Sequence, residues 1–315
     1  MTRVLLVVGS GRSGSTLFER ALSGVPGVAA LGEVVHLWDR AVRDDELCGC
    51  GERFSRCAFW TAVGRRAFGG WNRVDVAGLV RARHDVIRTR RVPGLLTTSP
   101  SRARRADRDR LLADLVRVLD AARAESGASL VVDSSKIPAY AALLMRAARE
   151  DHPAGLPLDL RCVQVVRDPR GVAWSMRKTV LRPEAASADL MHRTGVAESA
   201  LWWSAFDLVI DGLRARRTVP FTTVRYEDFV GDPRGVVDRV LDFAGSPRRE
   251  GDLDHIDGDL LELAANHQVA GNPMRFRTGT VRVAADEEWR NRLSTSEKAV
   301  VDALTVGLRH RFSYR

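Results

Sequence analysis

The stretch VLLVVGSGRSGSTLFER, Val4 to Arg20, constrains this chain more than any other segment. Five consecutive apolar residues end at Val8, a glycine-rich octet follows, and an amphipathic run begins near Ser15. An apolar run without alternation suits a strand buried on both faces, and such strands belong to parallel sheets covered by helices. The glycines let the backbone turn sharply after the strand. The helix beginning there aims unpaired N–H groups and the positive end of its dipole at whatever the loop encloses. Strand, loop and helix in that order specify a layered α/β fold with an anion site at the strand's carboxyl end.

The rest of the chain repeats the pattern. Strands are expected at Val4–Val8, Leu130–Val132, Leu160–Val166 and Phe221–Val224, with helices at Ser15–Leu22, Ile137–Glu150 and Arg170–Arg177. Each strand end delivers a polar cluster to one rim of the sheet: GSGRSGST, DSSK, RDPRG and RYED. Residues 1–315 therefore read as a single domain, a P-loop-like central parallel sheet flanked by helices. A helical and cysteine-loop insertion at about 35–128 is expected to shape the ligand pocket. From Asp107, Leu111, Leu115, Leu119 and Ala122 fall on one helical face. A later helix, Ala197 to Arg217, carries Trp202, Trp203 and Phe206 as a core-packing stripe.

The formal net charge is +9, but Lys136, Lys178 and Lys298 are the only lysines. Arginine replaces lysine throughout, so the basic balance is no argument for nucleic acid, which is not expected as a partner. No apolar run reaches the roughly 18 residues of a membrane span, and the chain reads as cytoplasmic. Cys162 sits in an apolar run and belongs to the core, whereas Cys48, Cys50 and Cys57 crowd into CGCGERFSRC. That cluster reads as a compact loop of reduced or occasionally paired thiols; zinc would need a fourth ligand such as His36.

Gly9 and Gly14 have the spacing of a Walker A loop, but Ser15 stands where that loop carries lysine. The lysine neutralises the phosphates of a magnesium-bound triphosphate, so its absence argues against an ATP or GTP hydrolase. Arg12 supplies the charge instead, and its planar fork grips oxygens in pairs. Gly11 and Gly14 free the backbone, and Ser13, Ser15 and Thr16 add hydroxyl donors. A P-loop small-molecule kinase and a non-catalytic anion or polynucleotide binder are the alternatives.

GSGRSGSTLFER resembles the 5′-phosphosulfate loop of the sulfotransferases, in the P-R-S-G-[ST]-T form of bacterial members. The resemblance implies a sulfuryl transfer from 3′-phosphoadenosine 5′-phosphosulfate (PAPS) to a hydroxyl or amine of a small-molecule or glycan acceptor, with no metal required. CVQVVRDPRGVAWSMRK, from Cys162, is similar to the family's 3′-phosphate element, which implies that role for Arg167 and Ser175; Asp168 and Pro169 suit a helix start there. VRYEDFVGDP is similar to a segment near the adenine, where Tyr226 could stack. HQVAGNPMRFRTG is similar to a late loop from which Arg275 or Arg277 could reach the 3′-phosphate. DEEWRNRLSTSEKAVVDAL reads as a capped final helix.

The same resemblance places Lys136, closing VVDSSK, against the sulfuryl or bridging oxygen. Where some members continue with T-H and use that histidine as base, Ile137 and Pro138 follow here. The base expected instead is Glu33, matching an acidic residue in a G-E segment, with partial burial raising its pKa toward neutrality. His36 is held in reserve, and Asp133 is expected to orient Lys136 or the acceptor. Acceptor identity and oligomeric state are not written in these motifs.

Overall fold

The computed structural model describes residues 1–96, 102–148, 158–184 and 189–314. At its centre are five parallel strands, β1 Thr2–Val8, β2 Val28–Ala30, β3 Leu130–Lys136, β4 Leu158–Val166 and β5 Phe221–Arg225, in the order β2-β3-β1-β4-β5. The longer helices are α1 Ser15–Ser23, α2 Ala58–Phe68, α3 Val76–Val86, α4 Arg102–Ser126, α5 Pro138–Ala147, α6 Pro169–Arg177, α7 Val196–Ala215, α8 Pro233–Ala244 and α9 Thr295–Arg311. The expected fold class holds. The expected helix at Ile137–Glu150 ends at Ala147, and Glu150 lies outside the described residues.

β1 is the middle strand, with Val4 between Val131 of β3 and Leu160 of β4. Every residue from Val4 to Val8 is fully buried. Alternate side chains feed two cores: Val4, Leu6 and Val8 enter one, Leu5 and Val7 the other. α1 and α8 close the second face through Phe18, Leu22, Val237 and Leu241. The first face is closed largely by residues 35–128, whose Trp38, Trp60, Leu111, Leu115 and Leu119 share the core of β1. That segment is thus a layer of the main core.

Two local expectations needed correction. β2 was not anticipated, because its three residues, VAA, carry no periodic signal and owe their state to pairing with Leu130–Val132. The aromatic stripe of α7 is split: Trp203 is buried and its indole N–H donates to the Arg167 carbonyl at 3.1 Å, whereas Trp202 is 51% exposed and meets the partly buried Phe206 edge to face. Adjacent residues on a helix lie about 100° apart, and here Trp203 faces the core while Trp202 turns to the surface.

A three-stranded antiparallel sheet of Ile256–Asp257, Leu260–Leu263 and Gly279–Arg282 flanks the fold. Between its last two strands the chain returns to the centre, where Val269 forms a parallel bridge with Gly32. Ser294 and Glu297 form a capping box on α9, as the sequence suggests. Among the described residues, no helix is long and apolar enough to cross a membrane.

Candidate active site

The four polar clusters meet at the carboxyl end of the sheet, around a cleft of about 550 Å³. Its floor is the loop after β1. Gly9 has φ +146° and lies so close to β4 that a β-carbon there would stand 2.4 Å from the Val165 carbonyl oxygen. Gly14, at φ +85°, precedes α1 and supplies no side-chain cap, and the first turn of α1 holds no acidic residue. The helix therefore offers uncapped N–H groups to the cleft, beside Gly11, Arg12, Ser15 and Thr16, which line it.

Arg12 sits at φ +63°, a conformation costing an ordinary residue about 1–3 kcal/mol and found mostly at functional positions. Its Nη2 is buried and, among the described residues, meets no hydrogen-bond partner. Burial pulls the guanidinium pKa below its usual value, and the negative charge of Glu33 opposes that shift. A half-buried cation with an unused donor is a place where an anion is stabilised. Ser13 is fully buried, its hydroxyl unpartnered, and it does not line the cleft.

Arg167 ends the same cleft on the other side. Its Nη1 donates to the Arg12 carbonyl at 3.3 Å, and its carbonyl is held by Trp203. One face of the Tyr226 ring lies under the Arg167 guanidinium, at 4.7 Å, and the Tyr226 hydroxyl donates to the Ala284 carbonyl at 3.2 Å. That face of Tyr226 is already taken, so the residue supports Arg167 and crowds Gly14. Arg167 also pairs with Asp286 at 3.1 Å, which Lys178 meets at 3.2 Å. Burial would raise the Asp286 pKa, but the two cations win and hold it low. Ser175 lines the cleft one helical turn and more beyond Asp168, which caps α6 through the Arg170 N–H with Pro169 at its first position.

Glu33 and Lys136 form the third group. Lys136, also at φ +63°, gives its ammonium to the Glu33 carboxylate. The backbone makes this meeting: Ser134 N–H donates to the Gly32 carbonyl at 2.8 Å, Ser135 Oγ accepts from Val35 N–H at 2.9 Å, and Glu33 N–H donates to the Val269 carbonyl at 2.8 Å. The expectation that burial lifts the Glu33 pKa is overturned. Burial is the largest single influence and does raise it, but Lys136, His36 and Arg40 together hold the pKa below the usual carboxylate value.

Several expected residues stand elsewhere. Arg275 is 1% exposed, donates to the Leu47 carbonyl at 2.9 Å and faces Glu184 at 3.7 Å, so it lies beneath the site and does not line the cleft. Arg277 is exposed and also absent from the lining. Asp133 is fully buried and accepts from Ser135 and from the Tyr140 hydroxyl, so it braces the end of β3 and reaches no cleft. His36 lies between Glu33 and Asp39, 3.8 and 3.7 Å away, with Arg83 at 2.8 Å from its Nδ1. It is not beside the cysteines; the ring that meets them is His267.

No described residue between 35 and 128 lines the cleft, contrary to the expected role of that segment. Its apolar faces are spent on the sheet. Met191, His192, Asn272 and Met274 line the cleft instead. Glu19 was also missed: it is buried in α1 and accepts from Gly32 N–H and Ser134 Oγ, locking β2's end to β3's end. Burial lifts its pKa to about 7. Nothing in LFER marks that glutamate as inward-facing.

A parallel sheet with a glycine loop and convergent arginines at its carboxyl edge defines a nucleotide- or anion-binding α/β enzyme class. The model of the sulfotransferase family matches residues 73–250, more than half of the chain, and the chain belongs to that family. Its fold is similar to that of the sulfotransferase domain from the Synechococcus PCC 7002 olefin synthase, with a TM-score of 0.51 at 20% identity over 100% of this chain and 97% of that one. No curated protein matches it in sequence.

Proposed function

We propose that this chain transfers a sulfuryl group from PAPS to the hydroxyl of a small-molecule or glycan acceptor, with residues 1–315 acting as one domain. The observation that carries the reading is the contact of the Arg12 loop with Arg167 at 3.3 Å on one cleft. Two cationic pockets back to back suit a nucleotide with anionic groups on both its 5′ and 3′ sides. The unpartnered, buried Nη2 of Arg12 fits such a group.

Bound PAPS supplies a sulfuryl group whose bond to the phosphate oxygen breaks as the acceptor oxygen bonds to sulfur. Arg12, the N–H groups and hydroxyls of Ser15 and Thr16, and the backbone of Gly11 and Gly14 hold the 5′ end. Arg167 and Ser175 hold the 3′-phosphate, with Tyr226 fixing Arg167. Lys136 turns from Glu33 to the bridging oxygen and neutralises the charge developing there. Glu33, still buried but released from its lysine, gains basicity and takes the acceptor proton. The acceptor lies toward Met191, His192, Asn272 and Met274. No residue in this scheme needs a metal ion.

Calorimetry in chelator tests the donor. Saturable binding of adenosine 3′,5′-bisphosphate is expected, and preference for ATP with magnesium would favour a kinase instead. Incubation with radiolabelled PAPS and a metabolite extract, followed by mass identification of the labelled product, then names the acceptor. Absence of both nucleotide binding and label transfer contradicts the reading.

A further inference from the structure

The cysteine loop lies outside the cleft, and the chemistry above makes no use of it. Backbone geometry nevertheless gathers its thiols. Leu47 and Arg53 pair as an antiparallel bridge, and Gly51, at φ +90°, donates to the Cys48 carbonyl at 2.9 Å, so a tight turn carries Cys48 and Cys50. Cys57 immediately precedes α2, its carbonyl accepting from Thr61 N–H at 2.9 Å. His267 arrives from far along the chain: Trp60 donates its indole N–H to the His267 carbonyl at 2.7 Å, and the imidazole stacks on Phe59 at 4.9 Å. Gly49 N–H donates to the Gln268 carbonyl at 2.9 Å, and a β-carbon on Gly49 would stand 2.1 Å from Asn266 Oδ1. Any larger residue there would have to displace the Asn266 side chain.

The four donor atoms lie within 4.8 Å of one another. Cys50 and Cys57 sulfurs are 3.8 Å apart, and His267 Nδ1 is 3.8 Å from the Cys48 sulfur and 3.3 Å from that of Cys57. Zinc bonds of about 2.3 Å to sulfur and about 2.0 Å to nitrogen give a tetrahedron with edges of about 3.8 Å between sulfurs and about 3.5 Å from sulfur to nitrogen. These three spacings agree within a few tenths of an ångström, and the remaining pairs lie within 4.8 Å. All three cysteines are free thiols, well beyond the about 2.0 Å of a disulfide.

We propose that Cys48, Cys50, Cys57 and His267 hold a structural zinc ion. Three thiolates and an imidazole are a soft donor set that selects zinc over calcium or magnesium. Four protein ligands close the coordination sphere, so the ion has no position for substrate. Its place in the fold explains what it does. Two residues beyond His267, Val269 bridges Gly32 and accepts from Glu33 N–H, and Gly271 packs against the Glu33 carboxylate. The ion ties the cysteine loop to the segment that backs Glu33, whichever reaction the cleft performs.

Elemental analysis of the purified protein should find one equivalent of zinc per chain. Release of that zinc by a mercurial should lower the melting temperature, and cobalt(II) in its place should show the intense visible and thiolate charge-transfer bands of a tetrahedral site. The double variant Cys57→Ala, His267→Ala should retain no zinc, whereas His36→Ala should retain it. If the double variant does not fold, the zinc content and cobalt spectrum of the native chain decide. Native protein that is metal-free and melts at the same temperature with and without added zinc overturns the proposal. A Cys50–Cys57 disulfide in protein handled without reductant also overturns it.

Discussion

Arg167 donates from Nη1 to the Arg12 carbonyl oxygen at 3.3 Å, joining residues from the first and fourth strands' ends in one wall. A charge-assisted hydrogen bond contributes about 1.5–3 kcal/mol. Arg167→Ala should therefore weaken binding of adenosine 3′,5′-bisphosphate roughly ten- to a hundredfold. Titration calorimetry of both proteins checks this, and unchanged affinity would remove Arg167 from the nucleotide site.

Asp286 occupies the guanidinium proposed to hold the 3′-phosphate, at 3.1 Å. Asp286→Asn removes a competing anion, so affinity for adenosine 3′,5′-bisphosphate should rise about tenfold, equivalent to about 1.4 kcal/mol. Affinity for AMP, which has no 3′-phosphate, should hardly change. Parallel titrations of the two nucleotides separate competition from a general loosening of the loop.

Glu33→Gln keeps the shape of the side chain but cannot accept a proton. Turnover should fall about 10²–10⁴-fold, with donor affinity nearly unchanged. Lys136→Met removes the main cation holding the Glu33 pKa down, so burial then dominates and the pKa should rise. Carbon-13 NMR titration of the glutamate carboxyls reads that shift, and an unmoved Glu33 resonance would show that Lys136 does not control it.

Glu19 gives a pH dependence with a defined sign. Its folded pKa, about 7, exceeds the ordinary 4.5 because burial penalises the charged form. The folded state therefore binds more protons between those values, and this group's support for the fold is present below 4.5 and lost as pH rises through 7. Glu19→Gln, which can still accept from Gly32 N–H, should gain melting temperature relative to wild type as pH is raised across that interval. The differential amounts to about 3 kcal/mol. Melting curves of the pair at the two ends decide it; a difference independent of pH would mean that Glu19 is not protonated in the fold.

Local rules explain why part of this was readable in advance. β1, β3 and β4 are apolar runs whose burial needs no partner to be named, and the loop's glycines and serines declare an anion site because conformation and hydrogen-bonding capacity are properties of single residues. The capping of α6 by Asp168 and of α9 by Ser294 is equally local. The misreadings have the opposite character. Arg275 looked available because HQVAGNPMRFRTG resembles a late loop of the family, yet Glu184 and the Leu47 carbonyl take it into the interior.

The layered α/β class, the glycine loop at Gly9–Thr16 and the identity of the groups carried to its rim were thus legible from local sequence. Their relations came from packing: Lys136 holds Glu33 ionised, His267 rather than His36 meets the thiols, and residues 191, 192, 272 and 274 join the lining of the cleft. The physical reason is that periodicity and turn chemistry act within a few residues. Charge pairing and desolvation depend instead on which distant segments packing brings within a few ångströms.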